Sequence, residues 1–466
     1  MFMRSCLAVL AASFSISAAT AATPADSTIA REAQSALEQV SAVDGPGAAV
    51  LIAKGDHVIF RAARGRANIE LGTPLATDQV FQIASVTKMF TAATVLKLAA
   101  LGQLSIDDPL ATYLPDFPHA SGITLRQLLN HTAGISDIAK DLQPGFSRRD
   151  VDMATLIAEI SKRPPDFAPG TRWAYSNAGY ILLGAVIEKV TGEPWYTAMQ
   201  KQLLDPLGLK QTRYGARDAL IPGRVAGYST DSQTHRVSNA SFISLSIPAS
   251  AGALVSTVDD LHRWMRALAT GKAIGNDGFQ QMISATPDLP GSSAAHRYGF
   301  GTYLWHVRGN LMVGHTGQIN GFASVVAYLP KQDITVVALG NDDEFDARTL
   351  GRRLAAIALG EPYAEVNAVP FSDDILQSLA GTYRLDETTI ETLSVKQHTL
   401  YAQRGKRNLI PMQMTADQRI YFTPDEISYF VPVRDASGKV VGLDYFDNGE
   451  GPAQRLPRVS TTGGMH

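Results

Sequence analysis

Strand-forming segments stand at both ends of residues 25–360, with a helix-rich stretch between them. That order restricts the fold more than any other feature of the chain. Near the start, Ala48–Ala53, a Lys54-Gly55-Asp56 turn and His57–Phe60 read as a hairpin. Near the end, Leu311–Thr316, Phe322–Leu329 and Ile334–Leu339 are short, β-branched or aromatic, and parted by Gly or Pro-Lys-Gln turns. Residues 105–270 read as mostly helical. One antiparallel or mixed sheet, assembled from both ends and covered by helices, buries all of these segments, which makes the fold class α+β. Helices are predicted over Ala25–Val43, from Ser85 to a stop at Gly102, over Asn177–Val190 before Thr191-Gly192, over Leu261–Ala269 behind a capped start at Ser256–Asp260, and over Ala347–Leu359.

The texture changes near Val369-Pro370. From Leu379 onward, short alternating segments such as Thr392-Leu-Ser-Val, Thr399-Leu-Tyr-Ala and Ile420-Tyr-Phe recur with little helical periodicity. They predict an all-β, barrel-like module over residues 370–466, after a boundary within 360–373. The preceding domain is expected over residues 23–365. Met1-Phe-Met-Arg4, an apolar run from Cys6 to Ile16 and the small residues Ser17–Ala22 predict a cleaved export signal at 1–22. No later apolar run is long enough to span a bilayer, so a periplasmic or secreted protein without a stable membrane span is expected.

Composition removes several function classes. Lys and Arg total 41 against 44 Asp and Glu, a net charge of -3, which provides no basic field for nucleic acid. The single cysteine excludes an internal disulfide, a thiolate metal cluster and a Cys-X-X-Cys pair. No metal or organic cofactor is expected, and the partner is a small-molecule or peptide substrate.

Three short motifs carry chemistry. Ser85-Val-Thr-Lys88 opens a helix and sets a hydroxyl and an amine three positions apart on one face. A partly desolvated amine there can take or relay the hydroxyl's proton. Tyr175-Ser176-Asn177 precedes an apolar helix; its phenol, near a cationic lysine, can ionise more readily, and its amide can meet a substrate amide. His315-Thr316-Gly317 lies on a predicted strand, where the glycine allows close backbone approach and the histidine can donate a hydrogen bond or carry charge. The backbone N–H groups of Ser85 and Gln318 are candidate oxyanion donors. His131, in Asn130-His-Thr-Ala-Gly134, is assigned a structural role, and Asp107, Asp108, Asp259 and Asp260 are read as helix caps.

In this order and at these separations the three motifs resemble the penicillin-recognising serine hydrolases: class C β-lactamases, secreted DD-carboxypeptidases, D-aminopeptidases and related esterases. Leu128–Gly134, Gly179–Gly184 and Gly252–Thr257 are similar to that family's framework. The resemblance implies a helix-covered antiparallel sheet beside a helical lobe, with Ser85 as nucleophile. It also implies that Lys88 and Tyr175 handle its proton, that Asn177 binds the acyl-side amide, and that His315, Thr316 and Gly317 line the facing strand. Class C β-lactamases carry Lys where this chain has His315, which weakens attraction for a β-lactam carboxylate. The C-terminal module resembles the lipocalin-like domains of D-aminopeptidases and other members. The expected function is hydrolysis of small amides or esters through an acyl-enzyme, with D-amino-acid-containing peptides as the favoured substrates. A carboxylesterase, a weak β-lactamase and a non-catalytic penicillin sensor are the alternatives.

Overall fold

Seven antiparallel strands form the sheet that the strand order calls for: β1 (Ala48–Lys54), β2 (His57–Arg64), β3 (Arg297–Tyr298), β4 (Tyr303–Val307), β5 (Asn310–Ile319), β6 (Phe322–Leu329) and β7 (Ile334–Gly340). Their spatial order is β3-β4-β5-β6-β7-β1-β2. The two ends of the domain meet where β1 pairs with β7, from Ala48 opposite Gly340 to Lys54 opposite Ile334. The computed structural model describes residues 24–459 apart from 139–144, 232–233, 285, 291–296, 387–388, 406 and 424–425. The expected export signal lies outside the described residues.

Strands β1, β6 and β7 are buried almost end to end because helices cover both faces of the sheet. The period of two decides which side chain meets which layer. Ala48, Val50 and Ile52 pack with Ala33 and Leu37 of α1 (Pro24–Val40) and Leu350 and Leu354 of α5 (Ala347–Ala358). Ala49, Leu51 and Ala53 join the other core, with Met89 and Phe90 of α2 (Thr87–Ala100) and Leu261, Trp264 and Met265 of α4 (Val258–Ala269). Trp264 stacks on Phe90 with ring centroids 4.1 Å apart. Each such valine, leucine or isoleucine side chain contributes about 1.5–3 kcal/mol when fully buried.

Helix α2 is buried on nearly every face, from Thr87 to Leu98. A helix apolar all round can only be central. It runs beside α3 (Asn177–Thr191), which Ser176 caps and Gly192 ends in the left-handed conformation. The capped start of α4 is built by Thr257, whose hydroxyl accepts from the Asp260 N–H at 3.2 Å. The four aspartates read as caps do other work. Asp260 accepts from the N–H groups of Gln211 and Thr212 at 2.7 and 2.9 Å, and Asp259 pairs with Arg61. Asp107 binds Arg126, while Asp108 accepts from the Ser105 N–H in a turn. For Asp107, Asp259 and Asp260, partners distant in the chain override the local capping preference.

Beyond α5, strands β8 (Gly381–Arg384), β9 (Ile390–Lys396), β10 (Thr399–Arg404), β11 (Ile410–Thr415), β12 (Ile420–Phe422), β13 (Tyr429–Arg434), β14 (Val440–Phe446) and β15 (Gln454–Pro457) form a meander. The short strand Ala368–Val369 adds to β11, and a bridge between Tyr383 and Arg458 brings the last strand back to the first. The result is a nearly closed barrel with its own core, including Leu393, Leu400, Phe430 and Leu443. It touches α5 through Arg352–Glu450 at 3.3 Å and Arg353–Glu426 at 3.7 Å, on the sheet face opposite α2.

Candidate active site

Ser85 sits in a one-turn 3-10 segment, Ala84–Val86, that leads directly into α2. Ala84 is held at φ 45°, a left-handed conformation that an L-residue adopts only when its surroundings impose it. Two neighbours impose it here. The Ile83 N–H donates to the Leu254 carbonyl at 3.1 Å, and the Ser324 hydroxyl donates to the Ile83 carbonyl at 2.9 Å. The sharp turn leaves the Ser85 side chain half-buried.

One helical turn on, Lys88 is fully buried. Its Nζ donates to Ser85 Oγ at 3.1 Å, to Asn177 Oδ1 at 2.7 Å and to the Ala251 carbonyl at 2.9 Å. It also lies 4.8 Å from the ring centroid of Tyr175 and 5.6 Å from that of Tyr180. Three acceptors match the three ammonium protons, yet burial away from water dominates and lowers the amine to about 7, against an opposing pull from the Asp137 carboxylate. Near neutral pH the neutral amine is therefore well populated. It can keep its bonds to Asn177 and Ala251 and turn its lone pair toward Ser85.

The Tyr175 phenol is pushed well above its ordinary value, chiefly by burial and then by Tyr303, with the Ser85 hydroxyl pulling the other way. This reverses the expectation of an easily ionised phenol. The lysine is itself partly neutral, so burial wins. Tyr175 is therefore held protonated.

Asn177 uses both ends of its amide. Its oxygen accepts from Lys88, and its Nδ2 donates to Asp137 Oδ2 at 3.0 Å. It thus holds the lysine, with an N–H to spare for a substrate.

His315 corrects another expectation. It is buried, its Nε2 accepts from the Tyr298 hydroxyl at 3.0 Å, and its Nδ1 donates to the Thr316 carbonyl. Burial, with Lys88 nearby, lowers the imidazole to about 3, so it is neutral and carries no charge for a substrate carboxylate. Its place is inside an aromatic cluster with Tyr175, Tyr298 and Tyr303. His131 completes that cluster, its ring centroid 4.4 Å from that of Tyr175 and its Nδ1 accepting from the Ser176 N–H at 3.2 Å.

Gly317 lets β5 press against the Ser85 turn. A Cβ there would stand 2.2 Å from the Ile83 carbonyl oxygen and 3.0 Å from the Ser85 nitrogen. Ile319 and Phe322 close the β5–β6 hairpin as a hydrogen-bonded pair, and antiparallel pairing alternates, so Gln318 turns its N–H away from β6. On that side β4 pairs with β5 only as far as Gly314. The strand edge beyond it is open beside Ser85. Half-buried Thr316, with Gly317 and Gln318, also lines a cavity of about 320 Å³ shared with Asp343, Glu344, Asp346 and Arg348.

Lys88 thus gathers Ser85, Asn177 and Tyr175 around its amine, His315 packs against Tyr175, and Gly317 presses against the Ser85 turn. No local sequence pattern marks Asp137 or the Ala251 carbonyl as groups that act on Lys88. Among the described residues no three His, Cys, Asp or Glu side chains converge as metal ligands.

The beta-lactamase family profile matches residues 33–359. The chain belongs to the beta-lactamase family. Members of that family are serine hydrolases that act by acyl transfer. Esterase EstB of Burkholderia gladioli is 33% identical over 225 residues, 45% of this chain and 56% of its own length. A penicillin-binding protein of Bacillus subtilis is 26% identical over 80% of this chain and 87% of its own. The crystal structure of a D-stereospecific amidohydrolase from Streptomyces sp. aligns with a TM-score of 0.61 and 30% identity, covering 69% of this chain and 97% of its own. This chain thus spans little more than half of the esterase.

Proposed function

We propose that Ser85 is the acylated nucleophile of an exported hydrolase that cleaves small amides or esters, with acyl groups derived from D-amino acids as the favoured class. The observation that carries this reading is the buried Lys88 amine, lowered to about 7 and 3.1 Å from Ser85 Oγ. In the forward step Ser85 Oγ attacks the carbonyl carbon and its proton passes to Lys88 Nζ. The tetrahedral oxyanion is stabilised by the N–H groups of Ser85 and Gln318. As the C–N or C–O bond breaks, the proton returns from Lys88 through the Tyr175 hydroxyl to the leaving group. Water then attacks the acyl-enzyme, with the same amine as base, and frees the acid and Ser85. Asn177 holds Lys88 and offers its remaining N–H to the acyl side.

The neutral His315 favours this substrate class over one that ends in a carboxylate. Around the 320 Å³ cavity three carboxylates face one guanidinium, Arg348, so a neutral or cationic substrate is better matched there than an anionic one. Arg348 beside Thr316 supports a second reading, a carboxypeptidase that grips a terminal carboxylate. The test compares a D-alanyl peptide, its C-terminal amide, a p-nitrophenyl ester and a chromogenic cephalosporin. The amide and ester are expected to turn over at least about tenfold faster than the free peptide and the cephalosporin, a difference of 1.4 kcal/mol. Preferred turnover of the free acid would replace the first reading with the second. Permanent labelling without turnover would point to a penicillin sensor.

The pH profile follows from the same geometry. Only the neutral amine accepts a proton, so kcat/KM rises with pH through about 7 and then stays level, because the Tyr175 phenol does not ionise until well above its usual range. Asp137→Asn keeps an acceptor for the Asn177 amide but removes the negative charge that holds Lys88 up. The rise then moves to lower pH; an unmoved or upward-moved midpoint would exclude Lys88 as the titrating base.

A further inference from the structure

The C-terminal barrel has a filled end and an open end. Alternate residues of its strands point inward: Leu393 on β9, Leu400 and Ala402 on β10, Met412 and Met414 on β11, Ile420 on β12 and Leu443 on β14 are all buried and pack together. One step further along the same inward rows stand Glu391, Arg404, Ile410, Phe422 and Tyr445. Together with Arg407 at the rim they line a cavity of about 220 Å³. At about 30 Å³ of liquid volume per water, this is room for about seven waters.

A carboxylate and a guanidinium on the inner wall of a small barrel are costly to bury, and apolar residues of the same size would stabilise the barrel as well or better. Arg404 Nε donates to Glu391 Oε2 at 2.9 Å, with side-chain exposures of 29% for the arginine and 2% for the glutamate. The Arg404 guanidinium carbon lies 5.4 Å from the Tyr445 ring centroid. A guanidinium has five N–H donors, so the bond to Glu391 leaves donors on a face that opens to the cavity. With Arg407 at the rim, two positive charges meet one negative charge. Ile410, Phe422 and the Tyr445 ring supply the apolar lining, with Asn408 and Ser428 beside them.

We propose that this cavity is a ligand site, separate from the Ser85 cleft, for small amphiphilic carboxylates. The carboxylate binds the free guanidinium donors of Arg404 under the field of Arg407, and the apolar body rests on Phe422, Tyr445 and Ile410. Charge-assisted, bidentate contacts of this kind are among the strongest that a side chain makes.

The test is titration calorimetry on the full chain with phenylacetate and hexanoate as probes and phenylacetamide as the uncharged match. Both acids are expected to bind saturably, and the amide at least about tenfold more weakly, a difference of 1.4 kcal/mol. Arg407→Ala is expected to weaken phenylacetate by about tenfold, and Ile410→Trp, at an exposed rim position, to remove binding by filling the space. Neither change should alter ester hydrolysis, and circular dichroism shows whether each variant is folded. Equal binding of acid and amide, no binding of either acid, or affinities unmoved by both substitutions would overturn the proposal. Because both variants lie in the barrel, an acid bound at the Ser85 cleft would fall in the last of these outcomes.

Discussion

Replacing Lys88 with Met is expected to lower kcat for the best ester substrate by about 1,000- to 10,000-fold, with KM changed little. The side chains are similar in length, so the cavity stays filled, but Ser85 loses the group that takes its proton. No other base stands in. His315 has both ring nitrogens engaged, by Tyr298 and by its own strand, and His131 has its Nδ1 on the Ser176 N–H. The Tyr175 phenol is held protonated. In stability the variant loses donors to Asn177 and to the Ala251 carbonyl, each orphaned acceptor costing about 1–3 kcal/mol. Release from burying an ammonium offsets part of that loss. A folded Lys88→Met variant that kept activity within tenfold of the parent would remove the amine from the mechanism.

Gly317→Ala is the second large effect. The added methyl would meet the Ile83 carbonyl oxygen at 2.2 Å, Ser324 Oγ at 2.5 Å and the Ser85 nitrogen at 3.0 Å. Two of these are backbone atoms of the strained Ser85 turn, so side-chain rotation cannot make room. Strand β5 must retreat from the turn, breaking the Ser324–Ile83 bond and separating the N–H groups of Ser85 and Gln318. Loss of one oxyanion donor costs about 100- to 1,000-fold in kcat, and overpacking costs about 1–3 kcal/mol of stability. Gly122 faces open space, so Gly122→Ala serves as the control and should leave both quantities near the parent values. Parallel kinetics and thermal melts distinguish the two glycines. Unchanged kcat in Gly317→Ala would show that the strand edge takes no part in the reaction.

What could be read from the sequence was local. The hairpins, the helix from Ser85 to Gly102 and the return of strands after residue 300 follow from periodicity and turn residues that act within a few positions. The pairing of β1 with β7 follows from those elements, because strands at opposite ends must share one sheet to bury their apolar faces. The Ser85–Lys88 contact also follows from helical spacing.

The electrostatic state of the site was not legible, because it depends on groups brought from far along the chain. Lys88 is dried by Tyr175 and Tyr180, held by Asn177 and by a carbonyl at Ala251, and opposed by Asp137. Whether His315 faces the cleft or the core is decided by Tyr298, which supplies its hydroxyl partner from another strand. The same holds for the aspartates read as caps, whose partners at Arg61, Arg126 and Thr212 no local pattern announces.

The central claim is that one activated hydroxyl, on Ser85, takes up the acyl group. Mixing the protein with a p-nitrophenyl ester, quenching in acid within the first turnovers and mapping the adduct by peptide mass spectrometry tests it directly. The expected result is a single acyl group on the peptide holding Ser85, absent from Ser85→Ala and much slower to form in Lys88→Met. An acyl group on any other residue, or a Ser85→Ala protein that releases nitrophenol at the parental rate, would contradict it.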